Sequence, residues 1–210
     1  ESQSRKGTLI HLGGCRNPLI ERFPKQYLDL LLRALQSSRV DVTITGGADV
    51  TEYLIQSGFT GKAVSLQHDA FVSVLNQSEH LVTTAGQTAT LEAFALGVPT
   101  SFLPPMNLSQ LALTDLLDTC GAATQQLQWS TYDCDYESIR TLSEKEALPT
   151  FASYAAALES DSEQVAHYVN DLSRMLQTLP DRDGQPSFIK QVGVNGQQAI
   201  VDRLEITWGL

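Results

Sequence analysis

The first 130 residues alternate short apolar runs with segments of helical periodicity, and this alternation constrains the fold more than any other feature. Candidate strands are Thr8–Leu12, Val40–Thr45, Ala63–Leu66, His80–Thr84, Thr100–Leu103 and Ala123–Leu127. They read as short strands apolar on both faces, as strands buried between two helical layers must be. Helical patterns fall between them at Pro24–Gln36, Val50–Gln56, Ala70–Leu75, Ala89–Ala95 and Leu108–Asp118. Strand–helix repeats of this kind join parallel strands through right-handed crossovers. The expected fold is therefore α/β, a doubly wound, Rossmann-like parallel sheet of six strands with helices on both faces. A C-terminal helical segment follows it.

Punctuation marks the strand ends. Gly13-Gly14, Gly46-Gly47, Gly86 and Pro104-Pro105 each follow a strand and precede a helix. In an open parallel sheet, ligands bind beyond the carboxyl ends of the strands, so these junctions are the candidate site. After Ser130 the chain turns acidic and helical, with Phe151, Tyr154, Leu158, Val165, Tyr168, Val169 and Leu172 at helical spacings. Pro180-Asp181-Arg182-Asp183-Gly184 reads as a turn, and Val192–Trp208 as a last helix. Two parts are expected: a nucleotide-binding domain over 1–130, and a helical extension over 131–210 packed on it.

Composition bounds the partners. A net charge of -10 disfavours nucleic-acid backbones and anionic membranes. It leaves room for a small anion, because helix-start N–H groups bind phosphate without lysine. Cys15, Cys120 and Cys134 are scattered and odd in number, as expected of reduced thiols in a cytoplasmic protein. No apolar run approaches the roughly 20 residues of a membrane span, and no metal-ligand spacing occurs. The start, Glu1-Ser2-Gln3-Ser4, lacks a methionine and lies close to the first strand, so a piece of a longer chain is expected.

The segment Val64–Gln110 carries the chemistry. Leu81-Val82-Thr83-Thr84 is a strand, Ala85-Gly86-Gln87-Thr88 a tight loop, and Thr90–Leu96 a helix ended by Gly97. Gly86 lets backbone pass close to a ligand, and the helix behind it offers free N–H groups and a positive dipole end. A diphosphate fits there. Glu92, placed in the first turn or just past it, is within reach of ribose hydroxyls, although an acid near a helix start also suits the dipole by itself. Gly97-Val98-Pro99 leads into the next strand, and Asn107-Leu108-Ser109-Gln110 brings further polar groups to the same rim. Gln110 stands three residues after Asn107, which is also the spacing of a capping box.

These residues resemble UDP-dependent glycosyltransferases of the GT-B fold, whose signature runs His-x-Gly-x-x-Ser-x-x-Glu, Gly-x-Pro, Asp-Gln. Gly86, Glu92, Gly97, Pro99 and Gln110 match in identity and spacing. The stretch is also similar to the corresponding part of the bacterial lipid II N-acetylglucosaminyltransferase. Upstream, Gly13-Gly14 resembles the turn that opens the donor domain, and Leu66-Gln67 stands near the place of Pro-Gln beside the nucleobase. Departures are Thr84 for the phosphate-contacting histidine, Ala89 for a hydroxyl, Ser109 for the aspartate, and Val64 for the stacking aromatic.

The resemblance implies the donor-binding C-terminal half of a metal-independent glycosyltransferase, with a UDP-sugar as donor substrate and no cofactor. The implied binding residues are Gly13, Gly14, Leu66, Gln67, Thr84, Gly86, Gln87, Thr88, Glu92, Asn107, Ser109 and Gln110. A hexose-type sugar would pass to an unknown acceptor held by an N-terminal domain, on this chain or a separate subunit. That domain would also supply the catalytic base. Two alternatives stay open: a degenerate, non-catalytic interaction or regulatory domain, and a sugar-nucleotide epimerase or hydrolase. Elsewhere, His68-Asp69 reads as a helix cap at the rim of the base pocket, His11 and His80 as strand residues, and His167 as a helix-face residue. Glu144-Lys145-Glu146 and Glu159–Glu163 read as solvated faces.

Overall fold

The central strand of the sheet, β1 (Thr8–Leu12), alternates its side chains between two apolar layers. Leu9 enters the core on one face, while Ile10 and Leu12 enter the core on the other. A computed structural model describes residues 4–15, 25–38, 40–132, 134 and 137–193. β1 is flanked by β2 (Val42–Gly46) and β4 (His80–Thr83), with β3 (Lys62–Val64) and β5 (Thr100–Phe102) at the edges. All pairs are parallel in the order β3-β2-β1-β4-β5, and Ile10 stands opposite both Ile44 and Val82.

The sheet has five strands rather than the expected six. Ala123–Leu127 makes only a single parallel bridge, Gln126 to Phe102. The side chains beside that bridge are tied sideways, Gln126 to Asp118 and Gln125 to Thr178. The chain then leaves the sheet for a 3-10 turn at Trp129–Tyr132.

Helices α1 (Lys25–Ser37), α2 (Ala48–Gln56), α3 (His68–Gln77), α4 (Gln87–Ala95) and α5 (Leu108–Thr119) supply the crossovers. After them come α6 (Glu144–Ser160), α7 (Ser162–Gln177) and α8 (Gly184–Val192). The sequence placed a last helix at Val192–Trp208; α8 ends at Val192 with Gly193 as its C-cap, and residues 194–208 of that range lie outside the described residues.

In α1, seven of thirteen residues are buried, on one wide face, while Lys25, Gln26, Arg33, Gln36 and Ser37 stay exposed on the other. An apolar face that broad has to be covered by more than the sheet alone. One core accordingly runs from Ile10 and Ile44 through Tyr27 and Leu31 to Phe151, Tyr154, Tyr168 and Leu172 of α6 and α7. On the opposite face α8 closes the layer, with Phe188 packed edge-on to Phe94 of α4.

The same core pins the loop after β5. Tyr27 Oη donates to the Pro104 carbonyl at 3.0 Å, and Trp129 Nε1 donates to that of Pro105 at 2.6 Å. Proline lacks an N–H, so this loop takes its order from its carbonyls. Replacing Trp129, buried to 1% exposure, by Phe leaves the Pro105 carbonyl unpaired. The variant is expected to lose about 1–3 kcal/mol in urea denaturation; a loss below ~0.3 kcal/mol would contradict this role.

Candidate functional site

The strand order reverses direction between β1 and β4, which creates a crevice beyond their carboxyl ends. Gly13 and Gly14 leave β1 there in a 3-10 turn ending at Cys15, and Thr84-Ala85-Gly86 leaves β4. Burial pushes the Cys15 thiol up to about 12, with Asp49 adding to the effect, so it stays protonated. It donates to Met106 Sδ at 3.4 Å, joining the first of these turns to the loop after β5.

α4 begins at Gln87 with Gly86 as its cap residue and no side-chain cap, so Gln87 and Thr88 lie in its first turn. Glu92 stands in the second turn, just past the first, at the upper end of the sequence expectation. At the far end Gly97, at φ 66°, stops the helix. There Arg5 donates to the Leu96 and Gly97 carbonyls at 2.6 and 2.7 Å, and Arg182 donates to Gly97 at 2.9 Å. Cations thus cover the negative end of the α4 dipole, and its positive end faces the crevice.

α5 differs. Asn107 accepts from the Gln110 N–H at 2.8 Å, and Glu144 of α6 accepts from the Leu108 N–H at 3.1 Å. Its first turn is already occupied by a neutral cap and a carboxylate, which disfavours an anion there. Glu144 is therefore a tertiary cap rather than part of a solvated face. Glu146 closes a capping box with Ser143, which holds its carboxyl below the usual range.

Two pockets open on either side of the α4 start. The first, about 280 Å³, is lined by Leu66, Thr88, Ala89 and Glu92 together with His11, Thr45, Gly46, His68 and Phe71. The second, about 460 Å³, is lined by Ala85, Gly86, Gln87, Asn107, Ser109, Gln110, Ala112, Leu113 and Leu116. The expected residues are thus divided between two cavities.

Gly13, Gln67 and Thr84 line neither cavity, and Gly14 stands beside Gly13 in the 3-10 turn after β1. Gln67 is the exposed residue before α3, Thr84 is buried at 1% exposure, and Gly13 abuts His11. A Cβ on Gly13 would stand 2.4 Å from His11 Nε2, so the imidazole beneath the turn accounts for that glycine. Gln110 is also committed internally, its Oε1 accepting from the Met106 N–H at 2.8 Å. This is one residue earlier than a capping box would place it.

In the first pocket, Glu92 Oε1 lies 3.3 Å from His68 Nε2. Its Oε2 is buried and lacks a hydrogen-bond partner among the described residues. An unpaired acceptor of this kind costs about 1–3 kcal/mol until a donor fills it. Burial raises the Glu92 carboxyl above its ordinary range, and His68 opposes that rise. Opposite, burial pushes the His11 imidazole down to about 4, so it is neutral at pH 7. Its ring packs 4.5 Å from Phe71, and Nδ1 stands 3.0 Å from Thr45 Oγ1.

Sequence reasoning missed His11, Thr45 and Phe71 as pocket residues, and marked Gly46 only as one of the strand-end junctions. It placed His68 at the rim but read it as a cap, whereas α3 has no side-chain cap. Period-2 facing within β1 and β2 was the one available signal for His11 and Thr45. Among the described residues, no group of three or more His, Cys, Asp or Glu side chains could hold a metal ion. No described helix is long and apolar enough to cross a membrane.

Fold and site together define a doubly wound α/β protein with a crevice at its topological switch point. No protein-family model and no curated protein matches the sequence. Among solved structures the chain is similar to glycosyltransferases. A spinosyn rhamnosyltransferase is 17% identical over 90% of this chain and 45% of that one, at a TM-score of 0.45. MurG of Acinetobacter baumannii is 20% identical over 83% of this chain and 51% of its own, at 0.44. An Arabidopsis thaliana protein solved with UDP-L-rhamnose is 15% identical over 83% and 44%, at 0.42. The chain spans about half the length of these proteins, or less.

Proposed function

We propose that this chain is the donor half of a glycosyltransferase and holds a nucleotide-diphosphate sugar, such as a UDP-sugar, across the start of α4. The observation that carries the reading is Glu92 Oε2, a buried carboxylate oxygen without a donor among the described residues, set in a pocket beside a helix start with no side-chain cap. A ribose hydroxyl supplies the missing donor. The diphosphate then meets the N–H groups of Gln87 and Thr88, and the sugar extends past Gly86 toward Asn107, Ser109 and Gln110. The register of Gly86, Glu92, Gly97, Pro99 and Gln110 supports the same arrangement. The nucleotide-binding part covers about residues 1–130, and the helices after it brace α1 and the loop after β5.

In transfer, an acceptor oxygen attacks the anomeric carbon as its bond to the diphosphate oxygen breaks. The bonding electrons leave with the diphosphate, whose charge the α4 N–H groups stabilise. The acceptor proton goes to a base from an N-terminal, acceptor-binding domain, on this chain or another subunit.

Calorimetry with UDP tests the reading. Wild type is expected to bind, and Glu92→Gln to bind about tenfold more weakly. Absence of UDP binding to wild type sinks it. The internal bond of Gln110 Oε1 to Met106 favours a second reading, a non-catalytic domain that keeps the nucleotide side and has lost the sugar side. Equal affinity for UDP and UDP-glucose is the outcome that reading expects.

A further inference from the structure

Glu92 sits on the second turn of α4 with its side chain 23% exposed, lining the first pocket. A contact from the preceding helix holds it there. His68 is the first residue of α3, which starts after an extended Gln67 and carries no side-chain cap. Its imidazole reaches across the mouth of the pocket, and Nε2 approaches Oε1 of Glu92 to 3.3 Å. The two carboxylate oxygens are thereby divided. Oε1 is held by the imidazole, and Oε2 is turned inward, buried and without a donor.

We propose that His68 is a positioning residue: it holds Oε1 of Glu92 so that Oε2 is presented as a fixed acceptor for a ligand hydroxyl. This inference rests on the donor-nucleotide reading above. The hydroxyls in question are those of the ribose, and His68 makes the pocket discriminate ribonucleotides from analogues without them. An acceptor already locked in place loses little further freedom when the ligand arrives, whereas an unrestrained glutamate has to be ordered by the ligand itself. A surface pair of this kind contributes little to fold stability, since the His68 side chain is 63% exposed. Its effect should therefore be read in ligand discrimination and not in unfolding.

The test uses the 210-residue chain as wild type, His68→Ala and His68→Gln, with UDP and 2′,3′-dideoxy-UDP as probes in calorimetry. Wild type is expected to prefer UDP by roughly tenfold, the value of one charge-assisted hydrogen bond. His68→Ala should cut that preference to about twofold by weakening UDP alone. His68→Gln, whose amide N–H still reaches toward Oε1, should keep most of it. Full preference retained in His68→Ala overturns the proposal. The Glu92 carboxyl is followed in parallel by carbon NMR without nucleotide. Its titration should move up in His68→Ala, because the interaction that opposes its burial is gone, and an unmoved titration also overturns the proposal. If wild type binds neither nucleotide, the donor reading fails, and the NMR titration alone decides whether His68 positions Glu92.

Discussion

Gly86→Val is expected to abolish nucleotide-diphosphate binding while leaving the fold intact. Gly86 has φ -78° and ψ 128°, an extended conformation open to any residue. A Cβ built there meets nothing nearer than the Thr84 carbonyl oxygen at 3.7 Å. Neither the backbone nor the packing therefore requires a glycine at this position. A ligand that lies against the backbone does require one, and Gly86 lines the second pocket directly before the α4 start. A valine side chain would fill the space where the diphosphate approaches Gln87 and Thr88. The UDP dissociation constant should rise at least about a hundredfold, close to 3 kcal/mol. Urea unfolding should change by no more than about 0.5 kcal/mol. Valine tolerated with full UDP affinity would remove α4 from the site. A large loss of stability would show instead that Gly86 is a structural glycine.

Mild acid is expected to destabilise the protein through His80. This histidine opens β4 at 1% exposure, at the end of the sheet opposite the pockets, and burial pushes its pKa down from 6.5 to about 4. Its Nε2 lies 2.8 Å from Ser101 Oγ. Ser101 donates to Gln125 Oε1, Gln125 Nε2 donates to Thr178 at 2.9 Å, and Thr178 donates to the Arg174 carbonyl at 2.8 Å. Ser101 spends its own hydrogen on Gln125, so Nε2 of His80 carries the proton, an assignment made from the network. Nδ1 is left buried with no partner to receive a second proton.

The folded pKa lies below the unfolded one, so the contribution is complete above pH 6.5. As pH falls from 6.5 toward 4, the unfolded chain takes up a proton that the folded chain refuses. His80 alone then removes on the order of 3 kcal/mol. His11 adds loss in the same window, because burial also lowers its pKa to about 4. Urea denaturation at pH 7 and pH 4.5 checks this with His80→Gln. The variant should begin less stable at pH 7 and lose about 2–3 kcal/mol less than wild type on acidification. Parallel losses in the two proteins would sink the assignment.

Much of the architecture was legible because both-face burial leaves a plain mark. Leu81 and Val82 face opposite cores, and a strand of that kind cannot be polar on alternate residues. Gly97 was legible as a helix stop, since a left-handed residue there favours glycine. The sixth strand was misread because Ala123–Leu127 falls where the strand–helix alternation calls for a strand, although its centre, Thr124-Gln125-Gln126, is polar and its fate depended on where Gln125 and Gln126 found partners. Glu144 was read as solvated because a cap supplied by a distant helix leaves no local spacing to detect.

The site divides in the same way. The sequence by itself determined the strand–helix alternation, the glycine- and proline-marked junctions at the strand ends and the spacing from Gly86 to Glu92, all of which are local. Only the tertiary structure decided that His68 meets Glu92, that His11 and Phe71 wall the same pocket, and that α5 is already capped while α4 is not. Those facts depend on distances between elements far apart in the chain. Such distances are set by packing around α1 and by the order of strands in the sheet, and no single segment encodes them.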